Sequence, residues 1–342
     1  MNTTSPFCLG FHDSNNCLRE SPCARGQPLG GAVAARRALL YRDESIHTTL
    51  NCSCNIRNSD KCSRSQGQEN SVTLLLAGKD RTPLHNGVFL ELGGADGLAQ
   101  SNTYHLERCL GWSGIMLEAN PSQMDMLCRN RPGVVSVGGL GVCALPETHL
   151  EFAVPLKKGL SAGAVATLSP EANRSHLRDR RGSRLRLPCA PLSAFLQDVH
   201  HLDYLSLDLE GGEAVALGSI DWRELSVHAI SVEQSSAAFD RSVAVRSLLS
   251  ARGFVLVATV HVWRGHIADE IFANASFLLA NDWRLSRTAY GVGVFNRSDR
   301  RGERRWGKWP WDQSVRLAVL SQLAFKARAW YLYEPGLKLA GL

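Results

Sequence analysis

The stretch VFLELGGADGLAQSNTYHLERCLGWSGIMLEANP, residues 88–121, decides the fold. It begins with a short apolar segment typical of a strand, Val88–Leu92, which the glycine-rich turn Gly93–Gly97 ends. A second segment of the same kind, Gly114–Glu118, follows in the same stretch. The stretch therefore predicts two strands, the first ending at a glycine turn and the second at an acid.

Helix signals lie between and after these two strands. Ser101 can cap a helix that runs to about Leu110, and Gly111 follows as the terminating residue. Asn120 can cap a second helix with Pro121 at its first position, where proline is tolerated. The order of these signals predicts strand, helix, strand, helix.

The same alternation continues to about residue 273. Further strands are predicted at 134–137, 149–154, 204–210 and 227–233, with a closing pair at 254–260 and 270–273, and further helices at 191–199, 211–218 and 241–252. Strands that alternate with helices form a parallel sheet covered on both faces. In such sheets ligands bind at the carboxyl ends of the strands, so we expect the functional site there.

The composition is that of an ordinary globular protein of 342 residues, 44% hydrophobic and 20% charged. No run of 18 apolar residues occurs, so no transmembrane segment is predicted. The net charge of +6 is concentrated in residues 174–186, which carry +5, and residues 297–308, which carry +4. The remainder is slightly acidic, which argues against a nucleic-acid partner.

Changes in composition divide the chain into three parts. Residues 1–70 are rich in Ser, Asn, Gly and Arg, which predicts a mostly irregular tail that contains cysteines. Residues 71–296 form the main domain, with an irregular arginine-rich insert at 155–187. Residues 297–342 combine a basic, tryptophan-containing segment with a last predicted helix at about 314–332.

The cysteines leave the cellular compartment open. Six of the ten lie in the first 62 residues, with spacings that fit no zinc finger well, so disulfides and reduced thiols both remain possible there. Five glycosylation sequons suit a lumenal protein, and they begin at Asn2, Asn51, Asn173, Asn274 and Asn296. Since the amino terminus shows no secretory signal, the cytoplasm is slightly favoured over a lumenal location.

The glycine turn and the second strand end together suggest a nucleoside. The turn is neither G-x-G-x-x-G nor a P-loop, so neither a pyrophosphate nor a nucleoside triphosphate is indicated. Glu118 ends the second strand 21 residues after Gly97, and an acid there can accept both hydroxyl groups of a ribose. S-adenosylmethionine is the common cofactor of this kind; a tight turn followed by a solvated glutamate is the structural alternative.

Carboxylates gather at the next predicted strand end. Asp208 and Glu210 alternate with leucines along the predicted strand 204–210, which puts them on one face. Glu213 follows in the next helix, and Glu233 ends the next strand. Four carboxylates at one rim could bind an amino group, accept a substrate proton or hold a divalent ion. Helix capping and ion pairing are the alternative for Glu213.

Two of these motifs resemble the FkbM family of S-adenosylmethionine-dependent methyltransferases. They are the stretch 88–121 and DYLSLDLEGGEAVAL, residues 203–217, which ISVEQ follows at 230–234. The closing DEIF, 269–272, is similar to the last strand of that family, and the resemblance covers about 88–273. It implies a Rossmann-like methyltransferase fold: a mostly parallel seven-stranded sheet with a final antiparallel hairpin and helices on both faces.

The resemblance also implies roles for individual residues. Gly93 and Gly97 line the cofactor, Glu118 holds its ribose, and Asp208 and Glu210 lie at the methyl-transfer cleft as the catalytic residues. The predicted cofactor-binding residues are Glu91, Gly93, Gly94, Ala95, Asp96, Gly97, Ser101, Asn102, Glu118, Ala119, Asn120 and Asp208. The substrate-side candidates are Glu213, Glu233 and His261, the last being a possible base near neutral pH or a packing residue.

The expected reaction is methyl transfer from S-adenosylmethionine to a hydroxyl of a small molecule or sugar, with Asp208 or Glu210 as the base. Mg²⁺ is a possible ligand of the carboxylates but is not favoured, because spacing fixes no third ligand. A nucleotide-dependent oxidoreductase is one alternative, although the third phosphate-binding glycine is missing. A catalytically inactive glycan-binding or scaffold module is the other. The sequence does not indicate an oligomeric state.

Overall fold

The computed structural model describes residues 68–78, 82–155, 162–168, 182–196, 198–233, 239–261, 267–281, 283–287 and 293–297. Helices α1 to α7 are, in chain order, Gln68–Leu76, Tyr104–Leu110, Met124–Asn130, Leu192–Phe195, Glu213–Gly218, Phe239–Ser250 and Ala275–Ala280, and a 3-10 turn at Pro121–Gln123 precedes α3. Strands β1 to β13 are Val88–Leu92, Ser113–Glu118, Val135–Gly138, Gly141–Val142, His149–Val154, Gly163–Ala164, Ser183–Ala190, His201–Leu207, Ser226–Glu233, Phe254–His261, Ile267–Asn274, Trp283–Arg287 and Gly293–Arg297.

Seven strands form the central sheet in the order β10-β11-β9-β8-β1-β2-β3. The pairs among β3, β2, β1, β8 and β9 are all parallel. Strand β11 runs antiparallel to both of its neighbours, β9 and β10. The predicted mostly parallel sheet with a closing antiparallel hairpin, and with it the Rossmann-like methyltransferase fold, is confirmed.

The middle strands of this sheet are buried on both faces. Successive residues of a strand point to opposite sides, so Phe89 and Leu90 of β1 belong to two different apolar clusters. Tyr204 and Leu205 of β8 divide between the same two clusters. Burial on both faces explains why apolar residues occupy consecutive positions within these strands, as at Phe89 and Leu90 and at Tyr204 and Leu205.

Two of the three predicted helix signals are confirmed. Asn120 Oδ1 accepts a hydrogen bond from the Ser122 N–H at 3.1 Å, and Gly111 ends α2 in the left-handed conformation with φ of 69°. Ser101 does not cap α2, which begins at Tyr104. The Ser101 hydroxyl instead donates to the buried carboxylate of Glu91 at 3.1 Å.

Several predicted boundaries differ from the observed ones. Strand β8 covers His201–Leu207 rather than 204–210, because the chain turns after Leu207. Helix α4 is limited to Leu192–Phe195, since the chain must leave the helix to enter β8.

A smaller sheet with the order β4-β7-β5-β6 accompanies the central one. Strand β7 pairs antiparallel with β5, so the end of the insert 155–187, predicted to be irregular, is a strand from Ser183 onward. A disulfide joins Cys143 to Cys189 of β7, and Cys109 and Cys128 are disulfide-bonded as well. The sequence had indicated no pairing for these cysteines.

Other predicted features lie outside the described residues. They include the tail up to residue 67, most of the arginine-rich segment, and the basic tryptophan segment with its last helix. Helix α1 begins at Gln68, and Gln68 and Glu69 are buried, so the predicted boundary at residue 70 falls inside a packed helix. Within the described ranges, no helix combines the length and apolar character needed to cross a membrane.

Candidate functional site

The parallel register brings four chain segments to one edge of the central sheet. Leu92 at the end of β1 pairs with Leu117 of β2 and with Leu207 of β8. Leu207 pairs in turn with Val232 of β9. The residues that follow these positions are the glycine turn, Glu118, Asp208 and Glu233, so the predicted site segments do lie side by side.

The glycine turn is shaped by its own packing. Gly93 has φ of 81°, and a Cβ there would come within 1.9 Å of the Asp208 carbonyl oxygen. Gly97 has φ of 74°, and a Cβ there would lie 2.6 Å from Leu127 Cδ1 and 2.7 Å from Arg131 Cγ. The two glycines are therefore required by close contacts within the protein, a reason that the sequence interpretation did not contain.

Glu118 ties the glycine turn to the end of β2. Its Oε2 accepts the N–H of Ala95 and its Oε1 accepts the N–H of Asn120, each at 2.7 Å. Burial raises the pKa of Glu118, and these two hydrogen bonds act in the opposite direction. A carboxylate offers about four acceptor positions, so two remain for other donors. Glu118 is thus both a positioning residue for the turn and a group able to accept hydroxyl donors.

Glu91 lies in β1, two residues before Gly93, and its carboxylate accepts hydrogen bonds from groups of the protein. Its carboxylate accepts the N–H of Asn102 at 2.8 Å and the hydroxyls of Ser101 and Thr103. Burial raises the pKa of Glu91, and the charge of Arg131 opposes that effect. In this structure Glu91 therefore holds the segment 101–103 in place, and Ser101 is one of its donors.

Two other predicted cofactor-binding residues lie on the turn and on this segment. Asp96 Oδ1 accepts the N–H groups of Leu98 and Ala99 and so closes the turn. Asn102 Nδ2 donates to Ser206 Oγ at 2.9 Å, while its buried Oδ1 has no hydrogen-bond partner among the described residues. Asn102 thus presents an unused acceptor next to the end of β8.

The acidic residues meet by a route that differs from the prediction. Asp208 and Glu210 lie beyond β8 in a turn, where Glu210 has φ of 52° and Gly211 has φ of 107°, so the predicted alternation along a strand is wrong. Single carboxylate oxygens of Asp208, Glu210 and Glu233 nevertheless lie within 4.8 Å of one another. The turn, rather than a strand, gathers them, and together they could hold a divalent cation.

Asp208 and Glu233 form a hydrogen-bonded pair of carboxyl groups. Burial, together with the neighbouring charge of Glu210, raises the pKa of Asp208 well above its ordinary value. The pKa of Glu233 is raised by burial and by Asp208, and the hydrogen bond between the two groups favours the protonated form of Glu233. Within the pair, the hydrogen bond therefore favours a proton on Glu233 over a proton on Asp208.

Glu213 supports the turn that carries this pair. Its Oε1 accepts the N–H groups of Leu209 and Gly211, each at 3.0 Å. Burial raises its pKa, and these backbone donors oppose the rise. Since its carboxylate faces the backbone, Glu213 is a positioning residue in this structure. His261 is the last residue of β10, and its side chain lies outside the described residues.

The residues at the carboxyl edge of the central sheet lie in a segment that matches a known protein family. A sequence model of the methyltransferase FkbM domain matches residues 91–256. Residues 91–256 form an FkbM methyltransferase domain. That domain contains the glycine turn, Glu118, Asp208 and Glu233, so the resemblance drawn from the two sequence motifs is confirmed.

Solved structures of methyltransferases are among those that this chain matches. A precorrin-6y C5,15-methyltransferase from Geobacter metallireducens is 15% identical, covering 59% of this chain and 85% of its own, with a TM-score of 0.34. An O-methyltransferase from Bacillus cereus in complex with SAH is 13% identical, covering 73% and 92%, with a TM-score of 0.36. A fibrillarin from Aeropyrum pernix with natively bound S-adenosyl-L-methionine is 14% identical, covering 60% and 75%, with a TM-score of 0.31. No curated protein matches the chain.

Two residues of the FkbM domain and its surroundings escaped the sequence interpretation. Arg131 is fully buried and donates to Gly97 O at 3.2 Å, to two hydroxyls at 2.9 Å, and to Glu107. Asp269 of β11 lies opposite Glu233 and accepts a hydrogen bond from Gln68. Neither has a local signal for its role: a single arginine after a helix and an acid within a strand become informative only once their neighbours are known.

Proposed function

We propose that the protein is an S-adenosylmethionine-dependent methyltransferase that acts on a hydroxyl oxygen of a small molecule or sugar. The observation that carries the proposal is the sheet edge of the FkbM domain, where Glu118 has acceptor positions to spare and Asp208 is paired with Glu233. The glycine turn lies between these two groups, because β1 separates β2 from β8.

The residues at this edge fit the cofactor. When bound, S-adenosylmethionine supplies a methyl group carried by a positively charged sulfur. Glu118 is suited to accept the ribose hydroxyls, and the unpaired Oδ1 of Asn102 is suited to accept an N–H donor. The carboxylates of Asp208 and Glu210 favour a positive charge nearby.

Asp208 is our candidate for the catalytic base. A hydroxyl is a weak nucleophile at neutral pH, so a group that accepts its proton accelerates transfer. Burial makes the Asp208 carboxylate more basic, and the hydrogen bond from Glu233 acts in the opposite direction by favouring the ionised form of Asp208. The remaining rate acceleration comes from positioning, because the hydroxyl oxygen is held in line with the methyl group that it attacks.

We further propose that the reaction needs no metal ion. Bound metals compete with protons for their ligands. The hydrogen bond between Asp208 and Glu233, which favours a proton on Glu233, uses part of the only acidic cluster at this edge among the described residues. Turnover that survives EDTA would support this view. EDTA-sensitive turnover restored by Mg²⁺ would instead make Asp208, Glu210 and Glu233 metal ligands.

Calorimetry with S-adenosylmethionine and its demethylated product tests the cofactor. Glu118→Ala removes the predicted ribose contacts, and hydrogen bonds to a charged acceptor contribute roughly 1.5–3 kcal/mol, so affinity should fall by about one to two decades. Glu224→Ala, at an exposed glutamate two residues before the start of β9 and so at the opposite edge of the sheet, is the matched control and should leave affinity unchanged. Equal affinity in both variants would refute the assignment.

A screen of metabolite extracts with labelled S-adenosylmethionine tests the reaction and its acceptor. Label transferred to a hydroxyl-bearing small molecule or sugar is the expected result. Cofactor binding without turnover on any acceptor would favour the alternative of an inactive methyltransferase fold that binds glycans or acts as a scaffold. Transfer to nitrogen or carbon would retain the methyltransferase and refute the O-methylation.

We also propose that the protein works in an oxidising compartment, against the slight preference for the cytoplasm. The proposal is supported by the Cys143–Cys189 disulfide and by the bonded state of Cys109 and Cys128. Disulfides persist in the secretory pathway and are reduced in the cytosol. Alkylation of free thiols in intact cells, followed by mass spectrometry, should leave Cys143 and Cys189 unmodified. Their quantitative alkylation would refute the proposal.

A further inference from the structure

A second polar cluster lies at the opposite edge of the central sheet. His201 and Asp203 are two residues apart at the start of β8, so their side chains share one face. His228 on β9 lies directly across from Asp203, because the flanking pairs are Leu202 with Val227 and Tyr204 with Ala229. Asp203 and Asp208 are five positions apart in the chain, roughly 16 Å if extended, so this cluster is separate from the candidate methyl-transfer site.

The three side chains converge on one oxygen. His201 Nε2 and His228 Nδ1 each lie 3.1 Å from Asp203 Oδ1. The other oxygen, Oδ2, accepts the N–H of Val88 at 2.9 Å, which anchors the carboxylate to the start of β1. Oδ1 is therefore the oxygen left for ligands, and the two imidazoles supply a nitrogen each beside it.

The surroundings hold this arrangement in place while leaving it accessible. The His228 ring lies 4.4 Å from the ring of Phe277 and 4.5 Å from that of His201. The side chain of Asp203 is 13% exposed, whereas those of His201 and His228 are 42% and 31% exposed. An ion can therefore reach the cluster from solvent, and water can complete its coordination.

The same three atoms can share hydrogen bonds or bind one ion. As hydrogen bonds, both imidazoles donate to the same Oδ1. A carboxylate with two imidazole nitrogens is the ligand set of open zinc sites, which hold three protein ligands and a water.

The spacing of the ligand atoms also suits zinc. Tetrahedral ligands at about 2.0–2.1 Å from Zn²⁺ lie about 3.3 Å from one another. The observed separations of 3.1 Å are within a few tenths of an ångström of that value, and all three ligand atoms lie within 4.8 Å of one another. Small side-chain movements suffice to admit the ion.

We propose that His201 Nε2, Asp203 Oδ1 and His228 Nδ1 form a binding site for a divalent transition-metal ion, with Zn²⁺ as the expected occupant. The site joins the starts of β8 and β9 and, through Asp203 and Val88, the start of β1. It is independent of the proposed methyl transfer, since none of these side chains belongs to the carboxyl edge of the sheet.

Zinc titration of the full chain tests the site. The protein is stripped with a chelator, dialysed, and titrated with ZnCl₂ in competition with a chromogenic chelator. Because the chain has 11 histidines and 10 cysteines, the site is identified by comparing variants. His201→Gln and His228→Asn keep an N–H donor for Asp203 but remove a metal ligand. Second-shell changes alone weaken metal sites by about 10–100-fold, so each variant should lose one zinc equivalent or more than about a hundredfold in affinity.

His200→Gln is the matched control, because His200 is the adjacent, exposed histidine and its Nδ1 lies 3.3 Å from the Glu224 carbonyl oxygen instead. It should bind zinc as the wild type does. Zinc-edge X-ray absorption of the wild-type protein gives a readout that needs no variant, and it should report two imidazole ligands and no sulfur. Wild-type binding by His201→Gln and His228→Asn, sulfur ligation, or no zinc binding at micromolar concentrations would each overturn the proposal. Affinity for S-adenosylmethionine should be the same in all three variants.

Discussion

Asp208 is a partly exposed residue, but its carboxyl group is surrounded by protein. Burial alone would hold this carboxyl group in its neutral form, which could not act as a base. The adjacent Glu233 opposes that effect, because the hydrogen bond between the two groups lowers the pKa of Asp208 and favours a proton on Glu233. The two residues are thus assigned different roles: Asp208 accepts the proton of the substrate hydroxyl, and Glu233 positions the Asp208 carboxyl group by a hydrogen bond.

This pairing predicts a large loss of kcat for one amide substitution and a small one for the other. Asp208→Asn removes the base, and general base catalysis contributes about 10²–10⁴-fold, so kcat should fall by at least about a hundredfold. Glu233→Gln keeps a donor toward Asp208 and should retain kcat within about tenfold. Initial rates with labelled S-adenosylmethionine and the identified acceptor measure both effects.

The pH profile provides a control for these two variants. Glu233→Gln fixes the donor permanently, so its activity should depend on pH less steeply at the alkaline side than that of the wild type, where Glu233 can lose its proton. If Asp208→Asn retained full activity while Glu233→Gln lost it, the assignment of the base would have to be reversed.

At the scale of secondary-structure elements, Arg131 connects the glycine turn to two helices. It follows α3, donates to the carbonyl of Gly97 in the turn, and pairs with Glu107 of α2. Its guanidinium also lies over the ring of Phe89 on β1, 5.6 Å from the ring centroid. The glycine turn is therefore held by two side chains: Arg131 at the Gly97 carbonyl and Glu118 at the Ala95 N–H.

Replacing Arg131 by methionine should strongly destabilise the protein. The substitution leaves the buried carboxylates of Glu91 and Glu107 without their cationic partner, and breaking a buried ion pair from one side costs about 3–5 kcal/mol. Urea unfolding measures the loss. Arg129→Met, two residues earlier on an exposed part of α3, is the control and should change stability by less than about 0.5 kcal/mol. Similar stabilities for the two variants would contradict the proposed role.

Asp269 of β11, which accepts a hydrogen bond from Gln68 of α1, should make the free energy of unfolding depend on pH. Burial raises the pKa of Asp269 to about 7, while an unfolded chain has a value of about 4. Between these pH values the folded form keeps a proton that the unfolded form has lost, so stability from this group falls as pH rises. The full effect is on the order of 1.4 kcal/mol for each unit of pKa difference.

Asp269→Asn tests this dependence, since an asparagine still offers an acceptor to Gln68 and does not titrate. Relative to wild type, the free energy of unfolding of the variant should increase as pH rises from about 4 to about 7, because only the wild type loses stability over that range. Parallel curves for the two proteins over this range would show that Asp269 does not titrate in the folded state as expected.

At the scale of the whole molecule, the smaller sheet is fastened by a covalent bond. Cys143 follows β4 and Cys189 lies in β7, with a sequence separation of 46 residues. Cross-linking residues so far apart restricts the unfolded chain substantially. Strand β4 pairs with β7 over only two residues, so the disulfide adds to a short hydrogen-bonded contact.

The double substitution Cys143→Ser with Cys189→Ser should lower the free energy of unfolding. The expected loss is about 2–4 kcal/mol, because the unfolded state regains the entropy of a long loop. Denaturant titration under oxidising conditions compares the variant with the wild type, in which the other disulfides stay intact. An unchanged midpoint and slope would show that the bond is dispensable for the fold.

The sequence by itself determined the features whose causes are local. Apolar runs, the glycine at the end of α2 and the Asn120–Pro121 helix start each act within a few residues, and the alternation of strands and helices leads from them to a parallel sheet. The family motifs lie in the same stretches, so both fold and family could be predicted. The acids were correctly expected at one edge because parallel strand ends meet there.

Only the tertiary structure decided how those residues are used. Ser101 supports Glu91 instead of capping a helix, and Asp208 meets Glu233 through a turn rather than along a strand, because both depend on neighbours distant in sequence. Arg131 gains its role by the same kind of contact, and so does Asp203, which meets His228 only across β8 and β9. Burial and charge at a site are sums over all surrounding elements, and a linear pattern does not contain them.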